Sequence, residues 1–484
     1  MTQNLKVRAA PGWIVAGSLC TGMSAISFYL STGLGEIWVL GWFAPVPLLW
    51  LTYARCPTWI VILATLIAFV LGQLGFLEGF AGLRTATLMV SIAIVSSAAL
   101  FAAAILAGRL AQRRLHPLLA VGAFPAAWTS MEYLVSLLSP NGTVGSLAYT
   151  QVGAPVLIQG ASLLGPWFIT FLLCFVASCT ALALVNRKQG MLIGGIGIAA
   201  FSLNLAFGSA RLLEPRTDSE RVAVAAIDLP DRGYPSNRDA WVGLAMEYAT
   251  RARELATQGA TTIVFPEKLA LLRPEWREAV LAPIALAARE AGVRIVAGFE
   301  DQGFNARNIA LTFWPNGAVS TYVKRRLILG LDHNVIPGDK SGILGGGFAV
   351  AICKDMDYPS MIRSDAQRRI RLMLVPAEDF FVDHWMHERI AILRGVENGF
   401  SVARAARKGD IMISDAHGRI LTLAKTSAAL QSRLVDVPLG SNDTLYLKIG
   451  DAFAWLCLAT TMMFLVFCVA TIKKRHVAEW QKPA

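Results

Sequence analysis

The chain has 484 residues, 55% of them hydrophobic and only 16% charged, with a mean hydropathy of +0.51. Soluble domains carry about 25% charged residues, so an ordinary soluble protein is excluded and a membrane protein indicated. The net charge of +11 does not require nucleic acid: no nucleic-acid motif accompanies it, and much of it lies between apolar runs.

Charge is placed unevenly. Pro11 to Gly208 is almost free of it, and Arg211 to Lys448 is rich in both signs. A last apolar run, Ala452 to Ile472, ends in "KKRH". Three parts are expected: an N-terminal transmembrane bundle of about seven helices (1–208), one large domain outside the membrane (209–450), and a C-terminal transmembrane helix with a basic tail (451–484). The joints are "SARLLEPRTDSE" and "PLGSNDTLYLKIG". Apolar runs of roughly 17–25 residues suit a hydrocarbon core ~30 Å thick. Spans are predicted near 12–31, 35–53, 58–80, 86–108, 117–138, 158–186, 190–208 and 452–472. The first is too long for a signal-peptide core and is expected to be retained. Glu78 and Glu132 are costly against lipid, so each is expected in the bundle interior or near an interface.

With eight spans, Lys6, Arg8, Arg55, Arg109, Arg113, Arg114, Arg187, Lys188, Lys473, Lys474 and Arg475 fall on one side, and Arg84 alone falls in a short loop on the other. The positive-inside rule makes the basic side cytoplasmic. The 209–450 domain then faces a periplasm-like space, beyond a bacterial inner membrane.

Six of the seven cysteines lie in or beside spans, and Cys353 is the only one in the outer domain. In an oxidising compartment structural cysteines pair, so a lone one is either buried and inert or kept for its reactivity. No second thiol or close histidine cluster points to a metal. His384 and His387 in "DHWMHER" read as a surface pair on a helix.

Within the outer domain, strands are predicted at 221–228, 261–267, 293–300, 347–355, 371–377 and 399–406. Helices are predicted at 239–259, at 277–292 and around 381–396. "RNIALTFW" and "GAVSTYVK" pair through the turn "PNG", and "DIMISDAHGRILTL" folds back through "DAHG". Strand–helix alternation followed by strand pairs predicts an α/β layered domain.

Three polar residues end apolar strands: Glu267 closes "TIVFPE", Lys324 closes "VSTYVK", and Cys353 closes "FAVAIC". Strand ends are where open α/β sheets place ligands. Singly, Glu267 reads equally as a solvated strand end, Lys324 as part of the solvated run "KRR", and Cys353 as a packed thiol. Together they make a kit for acyl transfer. A thiol forms a thioester, a carboxylate moves its proton, and an ammonium holds the oxyanion.

The order "FPE", "NARNIALTFWPNGAVSTYVKRRL", "AICKDMDYP" resembles the nitrilase superfamily with its Glu–Lys–Cys triad. The bundle, the outer domain and the last span together resemble the apolipoprotein N-acyltransferase family. "WTSMEYL", "GSLAYTQVGAPVLIQGASLLGPWFITFLL" and "RGVENGFSVARAARKG" are similar to stretches of that family. The resemblance implies an α-β-β-α sandwich, no cofactor and no metal. It implies Glu267 as base, Lys324 as oxyanion residue and Cys353 as nucleophile, with the Lys354 backbone N–H as a second oxyanion donor. It further implies a phospholipid acyl donor, and as acceptor the amine of a diacylglyceryl-cysteine lipoprotein.

Several positions depart from the family pattern. Lys354 and Asp355 stand where an aromatic and a glutamate are expected, and "LGLD" offers only Asp332 for a second glutamate. "AEDFF", "IDLPD" and Lys408–Gly409 also differ. Lys354 beside the thiol is expected to favour the thiolate. Three readings remain open: the lipoprotein acyltransferase, a relative with another amine acceptor or a membrane-bound amidase using water, and a silent lipid-binding relative.

Overall fold

The computed structural model describes residues 11–79, 84–215, 218–303, 305–328, 332, 335–379 and 384–480. Lys6, Arg8, residues 329–331 of "LGLD" and the aromatic pair of "AEDFF" lie outside them.

Among the described residues, six helices are long and apolar enough to cross a membrane: Gly12–Ser31, Thr58–Glu78, Thr87–Arg114, Pro117–Leu138, Pro166–Val185 and Gly190–Leu212. Two predicted spans need correction. The 35–53 span is two short helices, Trp38–Phe43 and Val46–Tyr53, broken at Pro45, which lacks an N–H and crowds the preceding turn. The 158–186 span begins only at Pro166. Residues ahead of it form the short helices Pro155–Ile158 and Ala161–Leu164, stopped by Gly165 at φ +76°. After the outer domain the chain ends in the helix Ala452–Trp480. The bundle packs around aromatic rings, with Phe28, Phe69 and Trp128 each in contact with Phe101.

Among the described residues, thirteen strands follow the bundle: β1 (Ser219–Ala226), β2 (Thr262–Val264), β3 (Ala270–Leu272), β4 (Arg294–Asp301), β5 (Arg307–Phe313), β6 (Val319–Val323), β7 (Ile343–Gly345), β8 (Phe348–Val350), β9 (Leu372–Glu378), β10 (Ser401–Arg407), β11 (Asp410–Ser414), β12 (Ile420–Lys425) and β13 (Gln431–Pro438). They form two sheets, one ordered β13-β1-β2-β4-β5-β6 with β3 beside β4, the other β12-β11-β10-β9-β8-β7. Each sheet has three parallel strands at its centre, β1-β2-β4 and β8-β9-β10, flanked by antiparallel pairs. Val222, Val224, Val264 and Val296 of the first sheet meet Val350, Leu372, Leu374 and Ala403 of the second in a dry core. Helices Arg238–Thr257 and Arg277–Ala291 cover the first sheet, and Pro359–Ala366 and His384–Asn398 cover the second. The result is an α-β-β-α sandwich on a helical membrane bundle.

The second helical layer is not free on its outer side. Ile390, Leu393 and Val396 share one buried core with Tyr149, Val152, Ile158 and Ile169 of the membrane half. Arg389 donates to the carbonyl oxygens of Gly33 and Gly35.

Candidate active site

The parallel strands point their C-terminal ends at one place. Beyond β2, Glu267 sits on the seam between the sheets, its backbone N–H donating to Ala377 O at 3.2 Å. A Cβ on Gly298 would lie 2.5 Å from the Glu267 Cα, so only glycine lets β4 pass behind it. Glu267 is 2% exposed. Its Oε1 accepts from Lys324 Nζ at 2.8 Å and from Asn308 Nδ2 at 2.6 Å, and its Oε2 accepts from the Glu378 N–H at 3.1 Å. Lys324 follows β6 and is 1% exposed. Its Nζ also lies 3.6 Å from Asp332 Oδ2. Burial pushes Lys324 down, but Glu267, Asp332 and the Cys353 side chain outweigh it and hold the ammonium above the ordinary lysine value.

Past β8 the chain turns through the 3₁₀ segment Cys353–Asp357. Cys353 opens it with φ +40°, a left-handed conformation that a non-glycine residue adopts only when its surroundings impose it. The thiol donates to the Glu378 carbonyl oxygen at 3.4 Å. Burial pushes the thiol well up. Glu267 and Asp379 add to this, while Lys324 and Arg404 oppose it. These influences together favour the protonated thiol over the thiolate.

The structure thus brings Glu267, Lys324 and Cys353 into one buried electrostatic unit. Asp332 joins it through Lys324 and also accepts from Lys268 Nζ at 3.3 Å. Asp355 stands aside. Its oxygens take the Tyr322 hydroxyl at 2.7 Å and the N–H groups of Arg326, Ile352 and Arg325 at 2.9, 2.9 and 3.2 Å. The Lys354 N–H has no hydrogen-bond acceptor among the described residues. The expectation that the Lys354 ammonium favours the thiolate is corrected. Its Nζ sits 3.3 Å from Asn141 Oδ1 and 3.5 Å from Asp357 Oδ2, and the cations that lower the thiol most are Lys324 and Arg404. His387, read as one of a surface pair, is half-buried and lines a cavity.

Two residues of the site escaped notice in the sequence. Asn308 is an amide inside an apolar strand, and that irregularity was the available signal. Glu378 gives the thiol its acceptor, while its carboxylate is ringed by Arg407, Lys268 and Lys408. Burial raises that carboxyl, but the three cations prevail and bring it to about 2. Nothing local in "PAED" announces this.

Cys353 and Lys354 form part of the wall of a cavity of ≈ 410 Å³. The rest of the wall belongs mostly to the bundle, including Phe69, Met89, Ile94, Trp128 and Val144. The Cys353 thiol thus lies at the polar end of a largely apolar cavity between membrane helices.

Known proteins are similar to this chain over most of its length. The family model described as "Apolipoprotein N-acyltransferase N-terminal domain" matches residues 24–179, and that described as "Carbon-nitrogen hydrolase" matches 221–440. Apolipoprotein N-acyltransferase 1 of Treponema denticola is 24% identical over 72% of this chain and 76% of its own. The Geobacter metallireducens apolipoprotein N-acyltransferase is 25% identical over 69% and 72%. The Nostoc enzyme of that name is 25% identical over 66% and 70%. Among solved structures, an amidase of the nitrilase superfamily from Nesterenkonia has 22% identity and a TM-score of 0.42, covering 50% of this chain and 97% of its own. With its helical bundle, its α-β-β-α sandwich and both family models matched in order, this chain is similar along most of its length to the apolipoprotein N-acyltransferases.

Proposed function

We propose that this chain moves a fatty acyl group from a phospholipid, through a thioester on Cys353, to the α-amine of diacylglyceryl-cysteine lipoproteins. The observation that carries this reading is the position of the thiol. It is joined electrostatically to Glu267 and Lys324 on one side and opens on the membrane-helix cavity on the other.

In the first step Glu267 takes the Sγ proton and the thiolate attacks the ester carbonyl. The Lys324 ammonium and the Lys354 N–H hold the oxyanion. The carbon–oxygen bond then breaks, and the leaving lysophospholipid oxygen takes its proton back from Glu267. In the second step the lipoprotein amine attacks the thioester and loses a proton to Glu267. The carbon–sulfur bond breaks, and the thiol is restored with that proton. No cofactor or metal enters either step. The charge pattern between spans supports an inner membrane with the sandwich on the periplasmic side.

A second reading, another amine acceptor or water, is favoured by Lys354 and Asp355, where the family pattern has an aromatic and a glutamate. Complementation of a strain lacking its lipoprotein N-acyltransferase separates the two. Growth with triacylated lipoproteins supports the first. No complementation, with acyl-enzyme still formed from phospholipid, supports the second.

A further inference from the structure

The helix Ala123–Leu138 carries a carboxylate, Glu132, that the chemistry above does not use. It is buried, and four donors converge on it. Oε1 accepts from Trp128 Nε1 at 3.0 Å and from the Leu147 N–H at 3.0 Å. Oε2 accepts from Ser146 Oγ at 2.7 Å and from Thr170 Oγ1 at 2.8 Å. Two of these donors belong to the segment that leaves the helix, so the carboxylate fixes where that segment begins its return.

The same segment reaches the turn after the thiol. Thr143 donates to Asp357 O twice, from its N–H at 3.0 Å and from Oγ1 at 2.8 Å. Asn141 Oδ1 accepts from Lys354 Nζ, and Pro140 O accepts from the Tyr358 hydroxyl at 2.5 Å. Gly142, at φ +55°, lies so close that a Cβ would strike Asp357 O. The Cys353–Asp357 turn is thus held at its far end by residues 140–143, and the Ser146 N–H, donating to Thr143 O at 3.0 Å, joins these to the Ser146–Leu147 step that Glu132 holds. A left-handed cysteine backbone persists only while its surroundings determine it.

We propose that Glu132 is a positioning residue for Cys353, acting through the 139–147 loop to hold the turn that presents the thiol. The inference rests on the acyl-transfer reading for its kinetic readout. The rigidity of the link makes misplacement costly: an error of about 1 Å at a reacting group lowers a rate about 100-fold.

The test uses the full chain in phospholipid nanodiscs. It measures single-turnover acylation of Cys353 at saturating donor, Cys353 alkylation by iodoacetamide, and Tm. Glu132→Leu and Thr143→Val are each expected to slow acylation about 10–100-fold, and the double variant no further than the slower single, because both cut one link. Glu132→Gln is expected to keep the wild-type rate. Its amide oxygen can face the two N–H donors, and the two hydroxyls can turn to accept from its NH₂. Losses in the singles that multiply in the double variant overturn the proposal, as does wild-type acylation in Glu132→Leu. Should Glu132→Leu fail to fold, Thr143→Val and Gly142→Ala decide, since both loosen the loop from the turn without touching the helix. Wild-type acylation in both overturns the idea. Should the wild-type protein form no acyl-enzyme, the acyl-transfer reading fails instead. Alkylation then judges the positioning: equal changes in Glu132→Leu and Thr143→Val support it, and unchanged rates sink it.

Discussion

The Tyr322 hydroxyl donates to Asp355 Oδ2 at 2.7 Å, and this bond ties the strand that carries Lys324 to the turn that carries Cys353. Asp355 is buried and accepts four hydrogen bonds in all, two on each oxygen. In Asp355→Asn the amide NH₂ must face N–H donors on one side or the other, so at least one bond is lost. A loss of about 1–3 kcal/mol in stability is expected. Tyr322→Phe removes a single donor and is expected to cost less. Thermal unfolding in detergent checks the order, and equal stability of Asp355→Asn and wild type would contradict it.

The assignment of Cys353 has a direct test. Cys353→Ala is expected to abolish acyl-enzyme formation with a labelled phospholipid while Tm stays near wild type. A labelled protein band surviving in that variant would remove the residue from the mechanism.

The charges around the thiol predict how its titration moves. Lys324 lowers the thiol's pKa and Glu267 raises it. Lys324→Met should therefore shift the pH profile of Cys353 alkylation to higher pH, and Glu267→Gln should shift it to lower pH. Glu267→Gln should nonetheless slow acylation by about 10²–10⁴, because the proton has lost its acceptor. Lys354→Met should leave the alkylation profile in place, since that ammonium is bonded to Asn141 and Asp357. A profile that moves most in Lys354→Met would overturn this division of labour.

Glu378 should leave a mark on acid stability. Its folded pKa of about 2 lies below the ordinary ~4.3 of a glutamate, so the unfolded chain binds its proton first. The stabilisation is full above the unfolded value and is lost as pH falls toward the folded one. Between about pH 4.3 and about 2, Glu378→Gln should show a flatter decline of Tm than wild type. Parallel curves would show that the carboxylate's cation ring does not stabilise the fold.

Glu267, Lys324 and Cys353 are legible in the sequence because each breaks the polarity of an apolar run at its end, and a parallel sheet gathers such ends. The sandwich layers are legible because most central strands and covering helices are long enough to show a period. β3 and β7 have three residues each and show none. β13 is mostly exposed and half-buried along a sheet edge, with Val437 alone fully buried, so its sequence shows no clear alternation. The direction of Lys354 was hidden for another reason. Its partner Asn141 lies 213 residues away, and only the assembled bundle places that amide beside the turn. The carboxylate of Glu132 was legible as an interior group, but its four donors come from residues that only the return of the chain brings together.

The core shared by helix His384–Asn398 and residues 148–169 bears on substrate traffic. On the proposed reading, the enzyme has to discharge one lipid and admit another at the same sulfur. Many such catalysts open like a jaw between lobes. Here the jaw is welded: parting the sandwich from the bundle would bare Tyr149, Ile158, Ile390 and Val396 to solvent at once. On the acyl-transfer reading proposed above, lipids are therefore expected to exchange at Cys353 without the two halves separating.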